Sequence, residues 1–355
     1  TATDLALGTD PAGSDTLSSP FVDYAHDVAY VGNDLGTLYR IKDVFCPSYN
    51  NDAGCTIGAA PSLDASWGTG GAVTVGAGGC GVLTSPVEDF TTGNVFVGCS
   101  DGRLYGFNSN GTVLSGTHFL VVGDGTSFGG IVDAPIVDSM NGLVYAVSGT
   151  NATNALLVQA NISLLAKRTA ALGSPLGGNI HLPAFNDAYF SEPTTPGDWA
   201  IFSCGFDSTG ASTTLYDVGF TAGSGNVPLL NIGTVPAANQ FTLSSQAEEC
   251  SPLTEFTNVP GPPGTPTDWL FLGLLSTQAI RSYDVTSASG SAGFPGTFAR
   301  SATDGVSGGS SGIIVDNESA TVQASSIYFS TLGSTTCGAG GSGVCAIKLT
   351  QSGLQ

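Results

Sequence analysis

The chain has 355 residues, with eight Lys and Arg against 28 Asp and Glu and a formal net charge of −20. So few cations leave almost nothing to neutralise phosphate, which excludes nucleic acid and anionic membrane surfaces as partners. Apolar residues make up 41%, enough for a core and against disorder, and no apolar run approaches the roughly 18 residues of a membrane span.

The chain opens at Thr1 without Met or a signal peptide, and so reads as a processed mature form. The first segment, "TATDLALG" over residues 1–8, has no partner nearby. "SSPFVD" follows at Ser18. Then comes "AYVGNDLGTLYRI", Ala29 to Ile41, two alternating runs joined by a tight turn in which Gly36 supplies positive φ. "TSPVED" at Thr84 starts the same series again, with "VFVGCSDGRLYGF" from Val95 to Phe107. Further starts are "DAPIVD" at Asp133, "HLPAFND" at His181, "CSPLTEF" at Cys250 and "SGIIVDN" at Ser311. Each precedes a β-branched or aromatic run such as "LVYAV", "WAIFSC", "WLFLG" or "SIYFS". A third run follows, then a fourth such as "HFLVVG", "RTAALG" or "PLLNIG".

Six copies of a four-stranded unit are thus expected, starting near residues 18, 84, 133, 181, 250 and 311. With Pro20, Pro86, Pro135, Pro183, Pro252 and Ile313 taken as equivalent, the spacings are 66, 49, 48, 69 and 61 residues. The reading is all-β: residues 1–355 as a single six-bladed β-propeller of antiparallel blades. The last repeat lacks one strand, and residues 1–8 resemble the fourth runs. They are expected to complete the last blade beside "VCAIKLT", Val344 to Thr350, so that no sheet edge stays open.

"SPFVDYAHDVAYVGNDLGTLYRI" and "SPVEDFTTGNVFVGCSDGRLYGF" resemble the quinoprotein-like (PQQ-like) repeat family of β-propellers. The resemblance covers nearly the whole chain, with its strong part in about a third of it, and it implies a scaffold. Quinone-using members look like eight-bladed proteins with a vicinal Cys-Cys, regular Trp docking positions and a calcium-held cofactor. This chain has no Cys-Cys pair, and Trp only at Trp67, Trp199 and Trp269. The resemblance therefore argues against the quinone, and no other cofactor is expected. A shared fold does not transfer an activity.

The eight cysteines show neither zinc-type pairing nor a Cys-x-x-Cys redox motif, which favours disulfides and an oxidising compartment, extracellular or periplasmic. Cys46 and Cys55 bracket one loop, Cys337 and Cys345 another. Cys80 and Cys99 fall at adjoining strand ends, and Cys204 and Cys250 would tie two blades. The sequons Asn110, Asn151, Asn161 and Asn317 suit a secreted protein but also arise by chance in a Ser/Thr-rich chain.

No catalytic constellation is visible. His26, His118 and His181 are scattered, and neither a nucleophile elbow nor a phosphate loop is present. Asp23, Asp89, Asp138, Glu255 and Asp316 recur three residues after the Pro equivalents, with Asn186 and Asp187 in the fourth repeat. Turn capping explains them; a carboxylate ring holding calcium is the functional alternative. Two Pro-rich insertions, "SEPTTPGDW" and "TNVPGPPGTPTDW", follow first strands. They offer Pro193, Pro196, Trp199, Pro262, Pro263, Pro266 and Trp269 as a stiff contact surface.

The leading reading is a secreted, non-catalytic propeller with a structural or binding role at a cell surface. Its partners would be proteins or further copies of itself chained into a filament. The alternatives are an extracellular enzyme, either a quinone-dependent oxidoreductase or a polysaccharide lyase or hydrolase, and a calcium-dependent or lectin-like adhesion module.

Overall fold

The computed structural model describes residues 7, 18–45, 59–76, 79–114, 119–192, 194–258, 266–290, 293–294, 301–302, 306–316, 326–338 and 341–350. The pairing expected of residues 1–8 lies outside these, as do Cys46, Cys55, His118, Pro193, Pro262, Pro263 and Asn317.

The described residues are almost entirely β, arranged in six antiparallel meanders. The first sheet runs β1 (Phe21–Asp23), β2 (Val28–Gly32), β3 (Thr37–Lys42) and β4 (Ser62–Leu63), with β5 (Ala72–Thr74) also on β3. The second comprises β6 (Val87–Asp89), β7 (Asn94–Gly98), β8 (Arg103–Phe107) and β9 (Phe119–Val121). The third has β10 (Ile136–Asp138), β11 (Leu143–Ser148), β12 (Leu156–Asn161) and β13 (Lys167–Ala171). The fourth has β14 (Ala184–Phe185), β15 (Ala200–Phe206), β16 (Thr213–Ala222) and β17 (Pro228–Leu230). The short β18 (Gly233–Thr234) runs parallel to β13, and β19 (Gln240–Ser244) pairs with β16. The fifth is β20 (Thr254–Asn258), β21 (Thr267–Leu274), β22 (Ala279–Asp284) and β23 (Ser301–Ala302). In the sixth, β24 (Ile314–Asp316) and β25 (Ser326–Ser330) precede a separate hairpin of β26 (Thr335–Cys337) and β27 (Gly341–Gly343). The last strand, β28 (Ala346–Thr350), then returns to β25. One four-residue helix, α1 (Ala188–Ser191), follows β14.

The chain forms two compact units, one of Thr1–Ala152 with Val158–Lys167, the other of Thr153–Leu157 with Arg168–Gln355. Within the first, β6 lies beside both β1 and β10; within the second, β14 lies beside β20.

The fourth strands depart from the simple repeat. In the first sheet the fourth position is split between β4 and β5. In the fourth sheet the ten-residue β16 outruns any one neighbour, so Thr213–Tyr216 pair with β19 and Phe220–Ala222 with β17. "PLLNIG" therefore serves two sheets.

The second strands β2, β11 and β15 are buried along their whole length, as strands covered on both faces must be. One core joins the first two sheets, where Trp67 meets Tyr30 and Phe107 edge-on. Another joins the fourth and fifth sheets through Phe202, Leu215, Leu270 and Leu272. A third joins the fifth and sixth through Phe271, Ile280, Ile327 and Phe329.

A hydroxyl latch recurs at the start of the first, second, fifth and sixth sheets. The Gly32 N–H donates to Ser18 Oγ at 2.9 Å, Gly98 to Thr84 Oγ1 at 3.0 Å and Gly273 to Ser251 Oγ at 2.9 Å. Ser330 donates to Ser311 Oγ at 2.9 Å. The residue before the first strand thereby grips the end of the second. The glycine is needed because the segment leading to the next sheet crosses there. A Cβ on Gly98 would fall 2.5 Å from Ile131 Cγ2, and one on Gly32 would fall 2.8 Å from Leu83 Cβ.

Thr84 is buried, so removing its hydroxyl strands the Gly98 N–H in the interior. Thr84→Val, close in shape, should destabilise the protein by about 1–3 kcal/mol, while Thr84→Ser keeps most of the stability. Urea unfolding of the three proteins gives the comparison.

Candidate functional site

The turns between first and second strands gather the acidic residues. Asp23 accepts the N–H groups of Ala25 at 2.8 Å and His26 at 3.2 Å, and pairs with the His26 ring. Asp89, fully buried, accepts the Thr92 N–H at 3.1 Å and the Thr92 hydroxyl. Asp138 accepts Asn141 N at 3.1 Å and Nδ2 at 2.7 Å. In the fourth sheet Asn186 takes this place: its Oδ1 accepts the Ala200 N–H and its Nδ2 donates to Asp198 O. These side chains cap their own turns. Asp316 sits at the end of β24, opposite Ser326.

Glu255 does not belong to that series. Phe21, Val87 and Thr254 stand opposite Tyr30, Phe96 and Phe271 respectively. Glu255 is therefore the counterpart of Val22 and Glu88, one residue before the capping position. In the fifth start the proline sits one residue early: Ser251 makes the latch directly before Pro252, whereas Ser18 and Thr84 stand two residues before Pro20 and Pro86. Among the described residues, the one group of three His, Cys, Asp or Glu side chains with ligand atoms within 4.8 Å is Cys80, Cys99 and Asp101. Two of those sulfurs are bonded to each other.

Two carboxylate groupings cross from one first strand to the next. In the first unit, burial and then the neighbouring Asp23 charge push Glu88 up to about 7, with Asp23 also hydrogen-bonded to it. Burial opposes ionisation of Asp23, but the His26 ring and the turn N–H groups outweigh it and hold its carboxyl below the ordinary value. Below about pH 7 the pair is thus a protonated Glu88 beside an ionised Asp23. In the second unit, burial pushes Glu255 up to about 8, with Asp268 and Asp187 adding charge and the Thr257 hydroxyl opposing at 3.1 Å. Burial raises Asp268 also, with Asp187 and Asp284 nearby.

Neither tryptophan of the Pro-rich insertions sits on a loop surface. Trp199 is buried, its indole N–H donating to Glu192 O at 2.7 Å, and it packs edge-on to Tyr189. Trp269 lies within β21, opposite Phe256 and Asp284, against the core of the fifth and sixth sheets. The cause is that "TN" and "TDW" extend β20 and β21 rather than forming loop. Pro196 is half-buried and Pro266 exposed. Phe185, Tyr189, Phe190 and Phe220 form an aromatic cluster around α1, from which Phe190 stays 68% exposed.

Each described histidine has its own carboxylate: His26 has Asp23, and half-buried His181 lies 3.5 Å from Glu249 Oε2. Disulfides join Cys80 to Cys99, Cys204 to Cys250 and Cys337 to Cys345, the pairs that the spacing singled out. Asn110 and Asn151 are exposed, whereas Asn161 Oδ1 is engaged by the N–H groups of Leu165 and Ala166. Asn110 and Thr112 also line a neutral cleft of about 640 Å³ with Val73 and Phe107. A cavity of about 170 Å³ lies against Asp217, Asn239, Gly219 and Gly290. Burial pushes Asp217 up to about 7, against its hydrogen bond from Asn239.

Glu88 and Asp268 were missed by sequence reasoning, while Asp187 was read with Asn186 as part of the recurring acidic series. Glu88 stands in "SPVEDF" beside the recurring Asp, and the signal was that its counterparts Val22 and Val137 are apolar.

No protein-family model matches the chain, and no curated protein matches it. Among solved structures the chain is similar to BamB from Moraxella catarrhalis, at 13% identity over 90% of this chain and 83% of that one, with a TM-score of 0.41.

The raised acids set a pH dependence. Between about pH 4.5 and 8 the folded chain keeps protons on Glu88 and Glu255 that the unfolded chain has released. Their effect on stability is therefore most favourable at the acid end and is lost as pH rises toward 8. The melting temperature should fall over this window, and Glu255→Gln should flatten the fall by roughly 5 °C. Calorimetry at pH 5 and pH 8 on both proteins reads the difference.

Proposed function

We propose that this chain is a secreted β-propeller of six blades that serves as a non-catalytic binding scaffold. The observation that carries the reading is the repeated meander whose first strands lie side by side within each unit, β1 by β6 by β10 and β14 by β20. Successive sheets also pack face to face through shared cores. Three disulfides suit an oxidising, extracellular or periplasmic setting. No described helix is long and apolar enough to cross a membrane. The turn carboxylates are engaged in capping, so calcium enters this reading as no more than an accessory ligand.

Residues 1–8 would complete the sixth blade against β28. Closure within one chain is favoured over exchange between chains, because the local concentration of a tethered strand is high. Deleting residues 1–8 should then leave a monomer with a lower melting temperature. If wild-type protein is a filament and the deletion yields soluble monomers, the strand is exchanged between subunits instead. Size-exclusion chromatography with light scattering distinguishes the two. Repeated with and without calcium, the measured mass should not change; a calcium-dependent mass would favour the adhesion module.

The enzyme reading has one feature in its favour, Glu88 with its carboxyl pushed up to about 7 beside Asp23 held below the ordinary value, which is the arrangement a general acid and its partner need. Turnover of extracellular polysaccharide by the wild type, abolished in Glu88→Gln, would replace the scaffold reading.

A further inference from the structure

We propose that the turns following β1, β6 and β10 form a docking surface for an apolar, positively charged segment of another protein. The proposal deepens the binding role above by naming the surface and the chemistry of its partner.

Each of these turns exposes one large apolar side chain: Tyr24 at 73%, Phe90 at 80% and Met140 at 90%. One such residue on a surface needs no explanation, but three in successive equivalent turns make a patch. The turns stand together because β6 lies beside β1 and β10, and the Thr91 hydroxyl donates to Ser139 O at 3.3 Å. Tyr24 is further held by stacking on Phe45, with ring centroids 5.1 Å apart. The capping carboxylates Asp23, Asp89 and Asp138 fix the turn backbones, so little conformational freedom remains to be lost on binding. Met140 adds a flexible, polarisable contact.

Charge selects the partner. Asp23, Asp89 and Asp138 stand at the base of the patch, and residues 24–27, 90–93 and 139–142 include no Lys or Arg. A second copy would bring another net charge of −20 to this face, and an anionic membrane would be repelled likewise. A segment alternating apolar and basic side chains satisfies both the exposed rings and the negative field.

The test uses the whole chain and synthetic peptides in isothermal titration calorimetry. An alternating leucine–lysine dodecapeptide should bind, and an alternating leucine–glutamate peptide should not. The triple variant Tyr24→Ser, Phe90→Ser, Met140→Ser should weaken the leucine–lysine peptide by about tenfold or more. Met140→Lys alone should weaken it too, which guards against a folding defect in the triple variant. Unchanged binding by either variant would reduce the effect to adsorption on an acidic protein and overturn the proposal. So would equal binding of the glutamate peptide, preference for phosphatidylcholine vesicles, or self-association abolished by the triple variant. Cross-linking in the extracellular fraction separates the two readings. A partner captured equally by wild type and triple variant overturns this surface and keeps the binding role; no peptide binding and no captured partner overturn both.

Discussion

A serine or threonine hydroxyl set before the first strand of four sheets organises much of this architecture. In four of the six sheets it accepts the N–H at the end of the second strand, and in three of those the donor is glycine. The bond fixes where the first strand starts, and hence which residues reach the turn at its far end. The absent side chain of the glycine lets the segment bound for the next sheet cross in van der Waals contact. Removing the hydroxyl leaves a donor buried; adding a Cβ pushes the following sheet away. Register inside a sheet and spacing between sheets thus rest on the same pair of residues.

The placing of the recurring acidic residues follows from that frame. Once the first strand is placed, the residue at its end faces a turn rich in unpaired N–H groups, and a short carboxylate or amide satisfies them. Asp23, Asp89, Asp138 and Asn186 are stabilised where they stand. One residue earlier the side chain instead meets the neighbouring first strand. Val22 and Val137 suit that place. Glu88 and Glu255 do not, and burial pushes their carboxyls up to about 7 and about 8.

The repeat was legible because its marks are local. Alternation in "VAYVG", the turn at Gly36 with φ of 77° and the Pro-led starts all depend on residues close in sequence. The pairs Cys80–Cys99 and Cys337–Cys345 were legible for the same reason, and Cys204–Cys250, 46 residues apart, from the strand ends that the repeat assigns. The register of the fifth start was not, since Pro252 imitates Pro20 while Leu253 occupies its place. Trp199 and Trp269 lie next to proline-rich stretches and read as loop residues, but burial of an indole is settled by distant partners such as Tyr189 and Ile280. The hydrogen bond between Asp23 and Glu88 depends on two strands from different sheets, and no spacing rule reports it. The split of β16 between β17 and β19 was equally hidden, because nothing in "TTLYDVGFTA" says how many neighbours a long strand will have.

The three described disulfides join cysteines that follow one another directly along the chain: Cys80 with Cys99, Cys204 with Cys250, Cys337 with Cys345. A polypeptide threaded through a membrane from its N-terminus presents its thiols in that same order. For these six, an oxidant that couples each newly emerged thiol to the one before it reaches the native set with no reshuffling. Exchange through mixed disulfides, which takes seconds to hours, drops out of their maturation. For a chain exported in this way, the linear order of the cysteines would act as an assembly schedule, with the Cys80–Cys99 bridge closed before the fourth and fifth sheets emerge.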